Sequence, residues 1–157
     1  MGKPGADFQI RAFRKQDAAV GSEILREAPE AVSWPERALV ESLDSPGVCA
    51  LISEREGRAT GFIVGRHVAD EAEILNLAVK KSCRRMGEGR ALVERLVREL
   101  REKGVTRVFL EVRESNLGGI AFYERMGFAR RRVRQSYYRS PVEDAIVMEA
   151  GAEEFRV

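Results

Sequence analysis

Apolar and polar residues recur along this chain with two periods, which predicts strands and helices following one another. Val108, Leu110 and Val112 fall on one face of a period-two pattern, which is typical of a strand. Between residues 88 and 103 apolar residues return every three or four positions, which predicts a long amphipathic helix. The same reasoning predicts strands over 8–13, 48–54, 60–68, 71–80, 105–113, 128–135 and 143–149, and helices over 18–28, from Ser33 onward, 88–103 and 116–126.

Local signals refine the ends and faces of these elements. We expect Asp17 and Ser33 to cap the first two helices, because short oxygen-bearing side chains accept hydrogen bonds from free helical amides. Ser115-Asn116 is a similar start for the helix over 116–126, and Gly127 is a natural end for it. In the strand over 71–80, Leu75, Leu77 and Val79 are expected to share one face.

The order of elements sets the expected fold class. A hairpin, a strand, a helix, a strand, a helix and a second hairpin suit an α/β (α+β) fold with a mixed sheet covered by helices. A chain of 157 residues is long enough for one core. We therefore expect one domain over residues 1–157, with residues 1–7 as a flexible leader.

Candidate chemistry begins with the segment from Leu75 to Arg90, which runs from a strand through a basic turn into a helix. The first amides of a helix are unpaired and carry partial positive charge, so they suit an anion such as phosphate. Gly87 and Gly89 allow close approach to those amides. The pattern Arg-x-x-Gly-x-Gly fits neither the dinucleotide fingerprint nor the Gly-Lys-Ser/Thr loop.

Three downstream residues add to this picture. Glu111 lies in the strand over 105–113 on the face opposite Val108, Leu110 and Val112, and a buried carboxylate is costly without a partner. Asn116 stands at the start of the next helix, and Tyr123 lies within that helix.

Together these motifs resemble the Gcn5-related N-acetyltransferase (GNAT) superfamily, and within it the RimI group of protein N-terminal alanine acetyltransferases. The matching stretches are Asn76-Leu77-Ala78-Val79, Arg84-x-x-Gly87-x-Gly89-Arg90, Leu110-Glu111-Val112-Arg113-x-Ser115-Asn116, Ile120-Ala121-x-Tyr123-Glu124-x-x-Gly127-Phe128, Tyr137-Tyr138 and Glu143-Asp144-Ala145-Ile146. The resemblance implies the GNAT fold, a mixed, mostly antiparallel sheet whose two central parallel strands splay apart. Gly118 and Gly119 depart from it, since such chains usually carry alanines there.

The resemblance also implies a reaction and a site. An amine would attack acetyl-CoA directly, with Glu111 as general base, Tyr123 as general acid and the Val79 amide on the oxyanion. Trp34, Tyr137 and Tyr138 would bind the acceptor peptide. The implied cofactor-binding residues are Leu77, Ala78, Val79, Arg84, Arg85, Met86, Gly87, Glu88, Gly89, Arg90, Asn116 and Tyr123. No metal is implied.

Each of these residues also has an ordinary interpretation. Glu111 would be an exposed residue on an edge strand or the partner of a core arginine, and Tyr123 a packing aromatic. Asn116 would be only a helix cap, and Trp34 a core anchor. Tyr137 and Tyr138 would be surface aromatics in a loop. The arginines over 130–134 would form a solvated face, or else a docking surface for an acidic or ribosomal partner.

Composition narrows the setting. The net charge of +2 makes no case for nucleic-acid binding, and no apolar run is long enough for a membrane span. Cys49 and Cys83 have neither metal nor disulfide spacing, so we expect reduced thiols in the cytoplasm. The expected partner is a protein N-terminus, including that of a ribosomal protein, and the expected state is a monomer or weak dimer.

The acceptor follows partly from amine chemistry. An α-amine titrates near ~7.8 and a lysine near ~10.4, so neutralising lysine at pH 7 costs about 3.5 kcal/mol more. A single glutamate therefore suits an N-terminal acceptor better. The alternatives are a GNAT enzyme that acetylates lysine or a small amine, and a non-catalytic acyl-CoA-binding domain.

Overall fold

The computed structural model describes residues 7–28 and 30–155, so the predicted leader over residues 1–7 lies outside it apart from Asp7. The strands are β1 (Gln9–Ala12), β2 (Val48–Arg55), β3 (Arg58–Val68), β4 (Glu71–Val79), β5 (Arg107–Arg113), β6 (Ala129–Arg139) and β7 (Val142–Gly151). The helices are α1 (Ala18–Arg26), α2 (Glu36–Leu43), α3 (Glu88–Glu102) and α4 (Leu117–Met126). Among the helices of these described ranges, none is long and apolar enough to cross a membrane.

The seven strands form one sheet in the order β1-β2-β3-β4-β5-β7-β6. All neighbours are antiparallel except β4 and β5 at the centre, which are parallel. The parallel pairing starts at Glu71 and Arg107 and ends at Ile74 and Leu110. Beyond that point the two strands separate, so the predicted mixed sheet with splayed central strands is confirmed.

A bulge in β4 changes which side chains face α3. The register with β3 shifts so that Val64 pairs with Asn76 and Gly65 with Ile74, which leaves Leu75 as the extra residue. Leu77 and Val79 pack on the α3 side of the sheet, whereas Leu75 packs on the α1 side. The expectation that Leu75 shares a face with Leu77 and Val79 was therefore wrong, because the extra residue reverses the alternation.

The two faces of the sheet carry separate hydrophobic cores. On one face α3 buries its predicted apolar stripe mainly against β2, β3 and β4. On the other face α1 and α2 cover mainly β2 and β3, with Ile24, Leu39 and Phe62 fully buried. The α3 stripe consists of Leu92, Val93, Leu96, Val97 and Leu100, all completely buried.

Two of the predicted caps are absent. The Asp17 carboxylate caps no amide of α1; it accepts hydrogen bonds from both terminal nitrogens of Arg11 and from the Arg14 amide, each at 2.8 Å. α2 begins after Pro35, and Ser33 does not cap it. Strand pairing of β1 brings Arg11 beside Asp17, and a guanidinium is a stronger partner for a carboxylate than a neutral amide.

Candidate active site

The separation of β4 and β5 opens a cleft at the centre of the sheet. β4 remains paired with β3 as far as Val79, and β5 remains paired with β7 as far as Arg113. Between the two strands no pairing continues past Ile74 and Leu110. The backbone edges of Leu77 to Val79 and of Glu111 to Arg113 are therefore available to an extended ligand.

The loop that follows β4 presents free amides. Arg85 and Gly87 both adopt positive φ, at 64° and 82°, which turns the chain into α3. The first helical hydrogen bond runs from the Ala91 amide to the Gly87 carbonyl at 3.0 Å. Within the described residues the amides of 87–90 donate to no backbone carbonyl, so they are free to bind an anion at the helix N-terminus.

Arg84 and Glu88 are engaged inside the protein. The Arg84 guanidinium donates to the Val79 carbonyl at 3.1 Å and to the Glu27 carbonyl at 3.3 Å, and it pairs with Glu30 at 2.9 Å. Glu88 is buried and accepts from Arg55 Nε at 2.9 Å. These side chains hold the loop in place, so only their backbone faces the anion site.

α4 carries Asn116 and Tyr123 beside this loop. Asn116 Oδ1 accepts from the Gly119 amide at 2.9 Å, so the predicted cap is confirmed, and Gly127 ends the helix with a φ of 106°. Tyr123 packs edge-on to Phe122 and Phe128, with ring centroids 5.1 and 5.5 Å away. Burial raises the pKa of Tyr123 above its ordinary value, so the phenol stays protonated at physiological pH.

Glu111 lies in a groove of about 340 Å³ on the sheet face opposite α3. Its Oε1 accepts a hydrogen bond from Arg134 Nη1 at 2.6 Å, so Glu111 does pair with an arginine, but this arginine is exposed and is not part of the core. Glu73 on β4 lines the same groove, and burial together with the charge of Glu111 raises its pKa. The groove therefore holds two carboxylates close to the point where β4 and β5 separate.

Tyr137 and Tyr138 lie in strand β6, not in a loop as the ordinary interpretation had it. A register shift between Arg134 and Tyr138 includes Ser136, which has a φ of 50° and whose amide donates to Asp144 Oδ1 at 2.7 Å. The two rings meet edge-on at 5.2 Å. The bulge therefore lies beside both tyrosines, close to the turn of the β6–β7 hairpin.

The surroundings of the two phenols link them to Glu111. The nearby Glu111 carboxylate is the main cause of the raised pKa of Tyr137. Burial is the main cause for Tyr138, whose pKa is raised to about 12, with the Glu111 charge second. Arg134 stacks over Tyr137 at 4.4 Å and Arg113 over Tyr138 at 4.3 Å.

Residues 19–128 match the acetyltransferase (GNAT) family. This chain belongs to the GNAT family. It is 43% identical over 96 residues to the [ribosomal protein bS18]-alanine N-acetyltransferase of Escherichia coli K12, across 60% of this chain and 65% of that protein. It is 35% identical over 140 residues to an uncharacterised N-acetyltransferase of Methanocaldococcus jannaschii, across 88% of each.

The fold agrees with this assignment. The structure superposes on the crystal structure of the ribosomal-protein-S18-alanine N-acetyltransferase from Escherichia coli with a TM-score of 0.81 and 32% identity, covering 92% of this chain and 94% of that one. The sequence match, however, spans less than two thirds of the length of the curated Escherichia coli relative, at 65%. The predicted resemblance to the GNAT superfamily and its RimI group is confirmed.

GNAT proteins take their acetyl group from acetyl-CoA, and the geometry of this chain fits that ligand. The pyrophosphate requires free donors, which the amides of 87–90 supply. The pantetheine arm carries amides, which suit the unpaired strand edges in the cleft. The loop and the cleft adjoin each other, because a Cβ on Gly89 would lie 3.6 Å from the Phe122 ring and 3.8 Å from the Val79 side chain.

The predicted site residues are thus only partly brought together. Glu111 lines the groove, whereas Tyr137, Tyr138 and Trp34 are not among the residues that line it. Tyr137 lies beside the groove through its contact with Arg134, and Trp34 packs against the core beneath α1 and α2. Sequence reasoning missed Glu73 and Arg134. A signal for Glu73 was present, since Glu71 and Glu73 alternate with the apolar Ala72 and Ile74 in one strand.

The arginines after α4 are exposed, as the solvated-face interpretation expected, but three of them are paired. Arg130 pairs with Glu124 at 3.2 Å and Arg131 with Glu149 at 3.1 Å. Arg134 pairs with Glu111. Most of the positive charge of this strand is therefore balanced locally.

Proposed function

We propose that this GNAT-family protein transfers the acetyl group of acetyl-CoA to the α-amino group of a protein N-terminus. The observation that carries the proposal is the position of Glu111. It follows directly on Leu110, the last residue of β5 that pairs with β4, so its carboxylate stands where the cleft opens into the groove. A base at that point reaches an amine that enters from the groove toward a thioester held in the cleft.

The cofactor lies between the loop and the cleft in this proposal. The amides of Arg85, Met86, Gly87, Glu88, Gly89 and Arg90 hold the pyrophosphate. The backbone of Leu77, Ala78 and Val79 aligns the pantetheine, and the Val79 amide supports the oxyanion. Arg84 contributes by fixing the end of β4, since its guanidinium binds the Val79 carbonyl. Asn116 holds the start of α4 and faces the cofactor with its remaining amide nitrogen.

The proton steps use two side chains of this chain. An α-ammonium with a pKa near ~7.8 gives its proton to the Glu111 carboxylate, directly or through one water. The neutral nitrogen attacks the thioester carbonyl, a C–N bond forms, and the C–S bond breaks as the intermediate collapses. Tyr123 donates its proton to the departing sulfur, a role that requires the phenol to be protonated, as its raised pKa ensures. The nitrogen releases its excess proton to solvent, and the Tyr123 phenolate left after proton donation is reprotonated from solvent.

The acceptor is inferred from the groove and from amine chemistry. Tyr137 and Tyr138 stand near the turn of the β6–β7 hairpin, beside the groove-lining Arg134, where they can bind the first residues of an extended peptide. An α-amine is easier to neutralise at pH 7 than lysine by about 3.5 kcal/mol. The similar Escherichia coli protein is named for an N-terminal alanine of a ribosomal protein, which supports a protein acceptor of that kind.

Acetyl-CoA turnover with a peptide acceptor tests the proposal. Glu111→Gln is expected to lower kcat/KM by about 10²–10⁴ at pH 7, the range that general base catalysis supplies. The loss is expected to shrink at high pH, where the amine is already neutral. Glu114→Gln is the matched control, because Glu114 is exposed and lies just beyond the end of β5. A Glu111→Gln enzyme with full activity at pH 6.5 would assign the base elsewhere.

A further inference from the structure

Glu111, the carboxylate proposed as general base, forms an ion pair with an arginine of the same chain. Arg134 Nη1 donates to Glu111 Oε1 at 2.6 Å. The Glu111 side chain is sheltered, with 15% of its surface exposed, whereas that of Arg134 is 46% exposed. The arginine therefore reaches inward from the surface to a carboxylate that is fixed in the sheet.

Arg134 is lightly held apart from this contact. It lies on β6, the last strand of the sheet, and its partner on β7 is Ala145. β7 separates β6 from β5, so the guanidinium extends across one strand to reach Glu111. Its other contact is the stacking on Tyr137 at 4.4 Å. Among the described residues Arg134 forms no second ion pair, so it can leave Glu111 without breaking a network.

A guanidinium and an α-ammonium compete for the same oxygen of Glu111. Arginine does not give up its proton at any pH at which enzymes operate, and the pKa of Arg134 is raised further by its bond to Glu111. It therefore serves as neither acid nor substrate. We propose that Arg134 occupies the acceptor-ammonium subsite of the free enzyme and is displaced from Glu111 when the acceptor enters. This inference rests on the proposed role of Glu111.

Glu73 offers the displaced guanidinium a second partner. It lines the same groove, and it has no ion-pair partner in the part of the chain that the structure describes. Two positive charges act on this carboxyl across the groove, first that of Arg66 and then that of Arg134. After the exchange the ammonium is paired with Glu111 and the guanidinium with Glu73, so neither carboxylate is left without a cation. Arg134 is thus a positioning residue that couples the base to the Tyr137 hairpin.

The test compares steady-state constants for the acceptor. If Arg134 competes with the acceptor, the apparent affinity for the acceptor is reduced in proportion to the fraction of enzyme in which Glu111 is free. Arg134→Met removes this competition and is expected to lower the acceptor KM about fivefold. The KM for acetyl-CoA is expected to stay unchanged and kcat to stay within about twofold. The acceptor KM of Arg134→Lys, which keeps a cation, is expected to lie between the values of the wild type and of Arg134→Met. Arg130→Met is the matched control, because it removes an exposed arginine–glutamate pair from the same strand away from the groove.

A second variant tests where Arg134 goes. Glu73→Gln is expected to raise the acceptor KM in the wild-type background, because the displaced guanidinium loses its partner. In the Arg134→Met background the same substitution is expected to have little effect, and this non-additivity is not expected of a merely structural residue. Additive effects of the two substitutions would overturn the exchange with Glu73.

The displacement of Arg134 and the proposed N-terminal acetylation can be refuted by different results. If free N-termini are not acetylated, the proposed acceptor is wrong, and the Arg134 variants are then compared with whichever amine the wild-type enzyme acetylates. A lower KM for that amine in Arg134→Met still supports displacement. An unchanged or higher KM in a variant with wild-type Tm shows that Arg134 does not compete with the acceptor.

Discussion

Asn116 Oδ1 accepts a hydrogen bond from the Gly119 amide at 2.9 Å, and a Cβ on residue 119 would lie 2.5–2.9 Å from the Asn116 side chain. The glycine therefore gives the asparagine room to cap α4. Gly118 differs, because a Cβ there would have no neighbour within 4 Å. The two adjacent glycines thus have different physical roles, although RimI-like chains usually carry alanine at both positions.

Alanine substitutions at these glycines are expected to separate the two roles. Gly118→Ala is expected to raise the free energy of unfolding by about 0.5–1 kcal/mol, because alanine favours a helix over glycine. Gly119→Ala gains the same propensity but displaces a cap worth about 1 kcal/mol, so its net effect is expected to be near zero or destabilising. Urea denaturation measures both. Equal stabilisation by the two substitutions would show that Asn116 does not depend on Gly119.

The anion site predicts a loss of cofactor affinity when Gly89 is replaced by valine. The branched side chain would stand at the first turn of α3, beside the amides that face the pyrophosphate. We expect CoA to bind at least about tenfold more weakly, which corresponds to ~1.4 kcal/mol. Arg98→Val is the control, because it places valine at an exposed position of the same helix. Calorimetry showing unchanged CoA affinity in a folded Gly89→Val protein would refute the cofactor site.

The raised pKa of Tyr123 predicts that the reaction rate is maintained into the alkaline pH range. If Tyr123 donates the proton to the thiolate, the rate falls only when the phenol ionises, and burial moves that event above the ordinary pKa near ~10. We expect kcat to hold from pH 8 to about pH 9.5, and Tyr123→Phe to slow turnover without weakening CoA binding. A basic limb below pH 9 in the wild-type kcat profile, absent from Tyr123→Phe, would contradict the expected shift.

Asp17 predicts a pH-dependent contribution to stability. Its hydrogen bonds to Arg11 and to the Arg14 amide lower the pKa of its carboxyl. A carboxyl with a lowered folded-state pKa stabilises the protein above its unfolded pKa of ~3.9, and this stability is lost as pH falls through the folded pKa. Asp17→Asn is expected to cost about 1–2 kcal/mol at pH 7, since Arg11 is partly solvated.

The difference between Asp17→Asn and the wild type is expected to vanish toward pH 2. Asp44→Asn removes an exposed pair with Lys15 and serves as the control, with a change within ~0.5 kcal/mol. Thermal or urea unfolding across this pH range measures both variants. A cost of Asp17→Asn that stays constant with pH would assign the effect to packing.

The fold was largely predictable because its elements are strongly patterned. The α3 stripe and the Arg-x-x-Gly-x-Gly loop are local features, and local sequence determined them. The bulge at Leu75 was not predictable, since Leu75, Leu77 and Val79 are all apolar and alternate without a visible break. Asp17 looked like a cap because its partner Arg11 becomes available only once β1 pairs with β2.

The site was less predictable than the fold, because its contacts depend on strand pairing between distant parts of the chain. Glu111 and Tyr123 were predicted as site residues through family spacing; the GNAT assignment is confirmed, and the roles of the two residues stay predictions. The contact between Glu111 and Arg134 depends on the β6–β7 register and on a bulge around Ser136. Neither can be predicted from the local alternation of apolar and polar residues. Glu73 gains its importance only from the parallel pairing of β4 with β5.

One peptide with two amines tests the proposed reaction most directly. It carries a free N-terminus and one internal lysine, and its control is the same peptide with a formylated N-terminus. Under limited turnover at pH 7, tandem mass spectrometry is expected to place the acetyl group on the α-amine of the free peptide, with little product from the formylated one. Acetylation mainly of the lysine in both peptides would contradict N-terminal transfer while leaving the acetyltransferase fold and cofactor site intact.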